Sequence, residues 1–330
     1  MLMRVIFPAI VLLAALNPLV FPQWDAFLTI VFAKALPVIG IILLLQAGQV
    51  SFGHAMFFAI GAYTAGFVGR WMGGGGELFL LLLAALAASV VAGLFVGIFV
   101  VRYRYIFFAM LNLAFSMVLF SLLEKFIHIT GGSDGLRISR PTLLGQEMSR
   151  ANYEFGIYYV SLALLALAIF GAWRLMDSPV GHAMKAIKSN ETRVEYLGIS
   201  PRRTLLVVYV ASAAFAGVGG ALVGVFQGIA TPDYAYWTRS GEFVFVAILG
   251  GAGQVLGALA GSFSFEFIRV TAAAYLGDTW QLTLGLMLLG IILFAPAGIV
   301  GSLVNVGNRW RGRRTREKPS PLGEAKEAVR

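Results

Sequence analysis

The ionisable residues inside apolar stretches are the ones that could do chemistry in this chain. Glu266 and Arg269 lie three residues apart and can pair on one face of a helix. Lys34 lies inside an apolar run, and His54 follows a cluster of polar and glycine residues. Charges are costly inside a membrane, so these residues are candidates for a transport path. For Glu266 and Arg269 we favour a structural ion pair, whereas for His54 a path-lining role and a packing role are both open. No chain of such groups that would form a proton relay is found.

The amino-acid composition indicates an integral membrane protein. The chain is 59% hydrophobic and 12% charged, whereas soluble domains carry about 25% charged residues. Several apolar stretches reach the ~20 residues that a membrane-spanning helix needs, and they are too rich in Gly and Ala for barrel strands. The fold class is therefore all-α, a polytopic helical bundle in lipid. Cysteine is absent, which excludes disulfides and thiolate metal sites.

The apolar stretches predict about 8–10 membrane helices. The first, from Arg4 to Phe21, is interpreted as a retained helix rather than a signal peptide, because no small-residue cleavage site follows. The others lie near 28–46, 48–66, 78–101, 105–127, 157–175, 205–226, 243–249 and 282–304, and in the apolar sequence that resumes after Gln254 and continues to about residue 275. The stretch 205–226 has a face of small residues that predicts close helix packing, namely Ser212, Ala216, Gly219 and Gly220.

Two polar, glycine-rich interruptions occur where a soluble loop would carry charge. They predict two broken or re-entrant helices, which lipid tolerates only where the backbone is covered by protein or faces a wet cavity. Such paired breaks near the middle of the membrane are the usual indication of a translocation path. The predicted path residues carry no strong formal charge and could pass zwitterions or neutral solutes. They are Gln49, Ser51, Gly53 and His54 in the first break and Gly250, Gly251, Gly253 and Gln254 in the second.

The basic residues indicate the orientation. The net charge of +9 would suggest nucleic acid in a soluble protein, but here the bases cluster at span ends, so no nucleic-acid partner is expected. Arg102, Arg104, the six bases between 174 and 203, and a tail at 307–330 are predicted to be cytoplasmic. The loops at 128–154 and 229–242, where charges balance, are predicted to lie outside. This assignment requires both breaks to enter the membrane and return to the outer side.

The polar segment 181–206 is predicted to form a short helix between two spans. Ala183, Ile187, Val194 and Leu197 can share one face of such a helix. Asn190 is a plausible N-cap, and Gly198 lies where a C-terminal glycine belongs. An ordered loop of this kind is either a contact surface or a solvated connection that is helical by chance.

Six motifs between residues 28 and 301 together resemble the LivM-type permease of branched-chain amino acid ABC importers. They are GQVSFGHAMFFAIGAYTAG, TGGSDG, GHAMKAIKSNETRVEYLGISPRR, VASAAFAGVGGAL, FVFVAILGGAGQVLGALAG and LFAPAGIVG. The resemblance implies a permease with a cytoplasmic coupling loop at 177–203 that docks into an ATPase. With the first helix included, the permease domain is predicted at 1–306, and the composition of residues 307–330 predicts a basic disordered cytoplasmic tail. The coupling residues it implies are Lys188, Asn190, Glu191, Val194, Glu195, Leu197 and Gly198.

The same resemblance implies the assembly and the location. The chain would pair with a LivH-type permease, two ATPases of the LivG and LivF type and a periplasmic substrate-binding protein, in the bacterial inner membrane. ATP and magnesium would bind the ATPases, so this chain would bind no cofactor and would not be an enzyme. Its substrates would be branched-chain or other small amino acids.

Three alternatives remain open at this stage. A permease of the same family could carry urea, short amides or aromatic acids. A self-sufficient channel or secondary transporter would explain the broken helices and would transport without an ATPase. A membrane anchor for a cytoplasmic enzyme would explain the ordered loop but not the two breaks.

Overall fold

A computed structural model describes residues 2–143, 145–146, 149–294 and 298–302 of the chain. The predicted basic tail at 307–330 and the end of the last predicted span lie outside these residues.

The described residues form an almost entirely helical protein, which confirms the predicted all-α class. The helices are α1 (Leu2–Val20), α2 (Asp25–Gln46), α3 (His54–Trp71), α4 (Leu78–Val100), α5 (Tyr105–Lys125), α6 (Ile127–Thr130), α7 (Arg150–Met176), α8 (Pro179–Ser189), α9 (Glu191–Tyr196), α10 (Pro201–Gln227), α11 (Trp237–Gly250), α12 (Leu256–Leu276) and α13 (Trp280–Phe294). Short 3-10 turns lie at Pro22–Trp24, Gly132–Asp134, Pro232–Ala235 and Gly277–Thr279.

Five stretches are long and apolar enough to cross a membrane, which makes this a multi-pass membrane protein. They are Pro22–Gln46, Leu78–Val100, Tyr105–Lys125, Asn152–Met176 and Pro201–Gln227. Helices α1, α3, α11 and α12 pack beside them, and α13 packs on α11 and α12. The predicted number of eight to ten membrane helices stays a prediction, since five of the described helices are of spanning length and apolarity.

Helix α10 lies at the centre of the bundle and contacts α2, α3 and α4 along its length. Small residues allow this, because the backbones approach too closely for side chains. A Cβ added at Gly220 would lie 1.8 Å from the Phe58 carbonyl oxygen of α3, and one at Gly219 would lie 2.6 Å from the Ala33 oxygen of α2. The predicted small-residue face of this span is confirmed, since its four residues are buried.

The two ends of the bundle differ in structure. One end carries α8 and α9 and is called the α8–α9 face. The opposite face carries a two-stranded antiparallel pair, β1 (Leu136–Arg137) with β2 (Ile229–Ala230). Helices α2, α4 and α7 run towards the α8–α9 face, and α3, α5 and α10 run away from it.

The loop predicted at 229–242 is shorter than expected, because α11 already begins at Trp237. Two polar residues of its first turns have partners, one within α11 and one in α3. Arg239 pairs with Glu242 at 2.9 Å, one helical turn away. Ser240 lies buried and accepts a hydrogen bond from the Ala55 N–H at 2.9 Å.

Candidate coupling surface and translocation path

The predicted coupling loop is ordered, but it forms two helices rather than one. Helix α8 begins after Ser178, whose hydroxyl accepts a hydrogen bond from the Gly181 N–H at 3.3 Å, and Pro179 occupies the first helical position. Its buried face packs on the bundle through Gly181, Ala183, Met184 and Ile187. The helix ends because Asn190 is extended, with φ −161° and ψ 101°.

Helix α9 has a defined cap at each end. The Asn190 side chain accepts a hydrogen bond from the Arg193 N–H at 3.0 Å, which confirms the predicted N-cap. At the other end Gly198 has φ +79°, the left-handed conformation that glycine adopts without strain. The Gly198 N–H donates to the Glu195 carbonyl at 2.9 Å, and the Ile199 N–H to the Val194 carbonyl at 3.3 Å. This is a Schellman motif, and it makes α9 a short rigid element.

The predicted apolar face is correct for three residues and wrong for Leu197. Ala183, Ile187 and Val194 are buried, with Val194 only 2% exposed. Leu197 is 73% exposed. The change of direction at Asn190 separates the two helices, and Leu197 lies at the C-cap of α9, where the chain has already left the helix. Together with Tyr196, which is 88% exposed, Leu197 forms an apolar projection into solvent.

An ion pair that the sequence did not reveal holds α9 against the bundle. Arg104, in the turn between α4 and α5, donates from Nε to both carboxylate oxygens of Glu191, at 3.0 and 2.9 Å, and from Nη2 to Oε1 at 2.7 Å. A bidentate arginine–carboxylate pair fixes orientation as well as distance. In the sequence only the two arginines of this short turn stood out. They had been interpreted as marking the cytoplasmic side of the membrane, so no specific partner was expected.

A second contact connects α8 with the first glycine-rich break. The Lys188 side chain lies over Gly48, where an added Cβ would be 3.1 Å from Lys188 Cγ. The next residue, Gln49, is buried and accepts a hydrogen bond from the Tyr105 N–H at 2.9 Å. Lys188 and Glu195 remain exposed on the α8–α9 face. The α8–α9 segment, the start of α5 and the first break are therefore in continuous contact.

The first break runs from the α8–α9 face, where Gly48 lies, into the bundle. At its inner end, Nε2 of His54 is bonded to the Ser212 hydroxyl of α10. Ser212 is the twelfth residue of α10, about 17 Å along that helix. The other ring nitrogen of His54 lies 3.0 Å from the Ser51 hydroxyl, and the histidine is fully buried. Gly53 packs on α5, where a Cβ would lie 2.6 Å from the Asn112 oxygen.

The second break is a tight turn between two closely packed helices. A Cβ at Gly250 would lie 1.8 Å from the Gly257 oxygen, so α11 and α12 are in backbone contact. Gly251 has φ +106°. The turn reaches the end of α2, because the Gln46 amide donates to the Ala252 carbonyl at 2.7 Å. Beyond it, Gly253 is exposed and Gln254 is half-buried.

The intramembrane charges form one cluster between α2 and α12. Arg269 donates from Nε to Glu266 at 3.0 Å, which confirms the predicted pair. Lys34 binds the other oxygen of the same carboxylate. The Lys34–Glu266 contact joins residues 232 positions apart and was not foreseen. These side chains bond to one another, which is the arrangement expected of a structural element.

Comparisons with known proteins agree with this architecture. A family model described as "Branched-chain amino acid transport system / permease component" matches residues 24–296. The chain is 30% identical over 275 residues to the high-affinity branched-chain amino acid transport system permease protein LivM of Escherichia coli (strain K12), covering 77% of this chain and 64% of that relative. It is 27% identical to the corresponding LivH of Salmonella typhimurium and 26% identical to BraD of Pseudomonas aeruginosa, covering 86% of each relative. The chain thus spans somewhat less than two thirds of its LivM relatives. No solved structure matches it.

Proposed function

The chain belongs to the family of permease components of branched-chain amino acid transport systems, and from this we propose that it is the transmembrane permease subunit of an ATP-driven importer. It would form half of a translocation path for branched-chain or other small amino acids. The relatives are named as high-affinity permeases of such systems. A permease for urea, short amides or aromatic acids would use the same fold and is the second candidate for the substrate.

The observation that carries this proposal is the apolar projection of α9. Tyr196 and Leu197 are exposed on a rigid element whose position is fixed by Glu191 and Val194. A large exposed apolar group on an ordered support is typical of a protein contact site. A merely solvated connection would need neither the two caps nor the bidentate ion pair. We assign this surface to the docking of a cytoplasmic ATPase subunit.

The contacts supply a route by which such docking would act on the path. Movement of α9 would be transmitted through Glu191 to Arg104, at the junction of α4 and α5. Movement of α8 would be transmitted through Lys188 to Gly48, at the start of the first break. Closure of two ATPases on ATP would thus shift the ends of several membrane helices together and change which side of the path is open.

The location and partners follow from the same proposal. We propose that the α8–α9 face and the C-terminal tail lie in the cytoplasm of a bacterium, with the protein in the inner membrane. The positive charge of the α8–α9 face supports this orientation. A second, LivH-type permease would complete the path, and a periplasmic binding protein would deliver the substrate. ATP and magnesium would bind the two ATPases.

A substitution on the projection tests the proposal. Leu197→Arg should leave the fold intact, because the side chain is exposed, but should prevent co-purification of the ATPases and ATP-driven leucine uptake by proteoliposomes. Met72→Arg, an exposed apolar position on the opposite face, is the matched control and should keep both. Normal uptake by the Leu197 variant would refute the proposal. Uptake by this chain alone, without ATPases, would instead support a channel or secondary transporter.

A further inference from the structure

A cavity of about 430 Å³ opens on the face opposite α8 and α9, and the proposed function does not use it. Its basic wall is formed by Arg70 at the end of α3, His128 of α6 and Arg137 of β1. Gly131 and Gly135 of the TGGSDG motif form another part of the wall.

The TGGSDG motif gives the cavity a fixed shape. Gly131 and Gly135 have φ of +81° and +74°, and a Cβ at Gly131 would lie 2.3 Å from the Gly135 oxygen. The Thr130 hydroxyl donates to the Leu123 carbonyl at 2.6 Å, which ties the motif to the end of α5. Arg137 follows at once in β1, which is paired with β2 beside the end of α10. The motif therefore builds a wall instead of a flexible loop.

The charge of the cavity is unbalanced. Two arginines and a histidine line it, and among the residues that the structure describes no aspartate or glutamate does. In the described part of the chain, Arg70, His128 and Arg137 make no ion pair or side-chain hydrogen bond. Guanidinium groups left without a partner in a preformed concave site suit a carboxylate, which they can bind through paired hydrogen bonds.

The exposure of the walls indicates where that carboxylate comes from. Small-molecule sites bury most of their ligand and are lined mainly by enclosed apolar groups. Here the three basic side chains are exposed, as are Ile127 and Ile129, each 60% exposed. Arginine beside exposed apolar side chains is the composition of a protein interface.

We propose that this cavity receives acidic side chains of the importer's substrate-binding protein. The inference rests on the proposed function, which places this face on the outside of the membrane, where such a protein would arrive. Arg70 and Arg137 would bind the carboxylates, and the TGGSDG motif would hold the two arginines at a fixed separation.

The test uses the assembled importer in nanodiscs and its purified binding protein. The double variant Arg70→Gln/Arg137→Gln should weaken binding by about tenfold and flatten its dependence on salt, because charge-assisted contacts at an interface act mainly through association. Arg140→Gln is the matched control, since Arg140 is exposed on the same loop and does not line the cavity. The control should change the affinity by less than about twofold. A charge swap completes the test. Permease carrying Arg70→Glu should bind poorly to the normal binding protein, and replacing one acidic residue of the binding protein by arginine should restore binding.

Three results would overturn the proposal. One is an unchanged affinity of the double variant, and another is an equal loss in the Arg140 control. In the third, the double variant keeps its affinity for the binding protein but loses bound phospholipid or directly bound leucine. That result would assign the cavity to the ligand that is lost. ATP hydrolysis without the binding protein should be normal in the double variant. Loss of the ATPases themselves would instead count against the proposed function, so the two failures can be told apart.

Discussion

Neutralising the Arg104–Glu191 pair should weaken the coupling between the ATPase and the transport path without unfolding the bundle. The two side chains are 16% and 32% exposed, so water screens part of their attraction. Exposed pairs contribute about 0.2–1 kcal/mol, and the bidentate geometry places this one at the upper end, about 1 kcal/mol. Without the pair, α9 would have to be ordered when the ATPase binds, which would weaken docking by about fivefold.

A double-mutant cycle measures this contribution. Arg104→Gln, Glu191→Gln and the double variant should each show about the same fivefold loss in ATPase affinity and a matching loss in ATP-driven uptake, because all three remove one interaction. Arg102→Gln is the control, since Arg102 lies exposed in the same turn and has no ion-pair partner among the described residues. The denaturation midpoint of the permease should shift little in all four.

Two outcomes would refute this reasoning. If the losses in the single variants multiply in the double variant, the two residues act separately, and the pair does not position α9. If Arg102→Gln produces the same loss, the effect reports the positive charge of the turn rather than a specific contact.

Three further predictions concern the bundle itself and can be measured by reversible denaturation in mixed micelles. Gly220→Ala should lower the free energy of unfolding by about 1–3 kcal/mol, because the new methyl would clash with a carbonyl oxygen of α3. Gly171→Ala, with no atom within 4 Å, should change it by less than about 1 kcal/mol, and equal effects would contradict the packing argument. Ser212→Ala should cost about 1–3 kcal/mol, because it leaves Nε2 of the buried His54 without a partner while Nδ1 keeps its contact with Ser51. Ser161→Ala is its control, because that buried hydroxyl has no partner among the described residues, and a similar cost there would refute the assignment. Glu266→Gln should cost about 3–5 kcal/mol, since it leaves two cations without their shared carboxylate, and an unchanged denaturation profile would show that the cluster is not structural.

The sequence predicted the features that depend on local periodicity. The length of the apolar stretches predicted the spans, and the small residues of α10 predicted its close packing. The cap residues Asn190 and Gly198 predicted the two ends of α9. Each of these depends on residues within a few turns of one another, where spacing determines geometry.

The features that the sequence did not predict are contacts between distant elements. Lys34 and Glu266 meet because α2 packs on α12, and Arg104 and Glu191 meet because α9 packs beside the turn between α4 and α5. No local pattern encodes either distance. Leu197 was misplaced for a related reason. A helical pattern read through Asn190 assumes one continuous helix, whereas the side-chain cap at Asn190 starts a new helix in a new direction.

The two glycine-rich breaks, which are similar in sequence, differ in their packing. At the first, α2 and α3 both pack on α10 and hardly contact each other, and Gly48 lies against the α8–α9 segment. At the second, α11 and α12 pack directly on each other through Gly250 and Gly257. Backbone contact of this kind resists sliding, because closely packed surfaces deform little. A displacement of α8 would therefore act first on the segment around Gly48, while the second break would move as one unit with its two helices. Lys188→Ala, which removes the contact of α8 with Gly48, should accordingly lower ATP-driven leucine uptake by proteoliposomes, whereas a disulfide joining α11 to α12 should leave it unchanged.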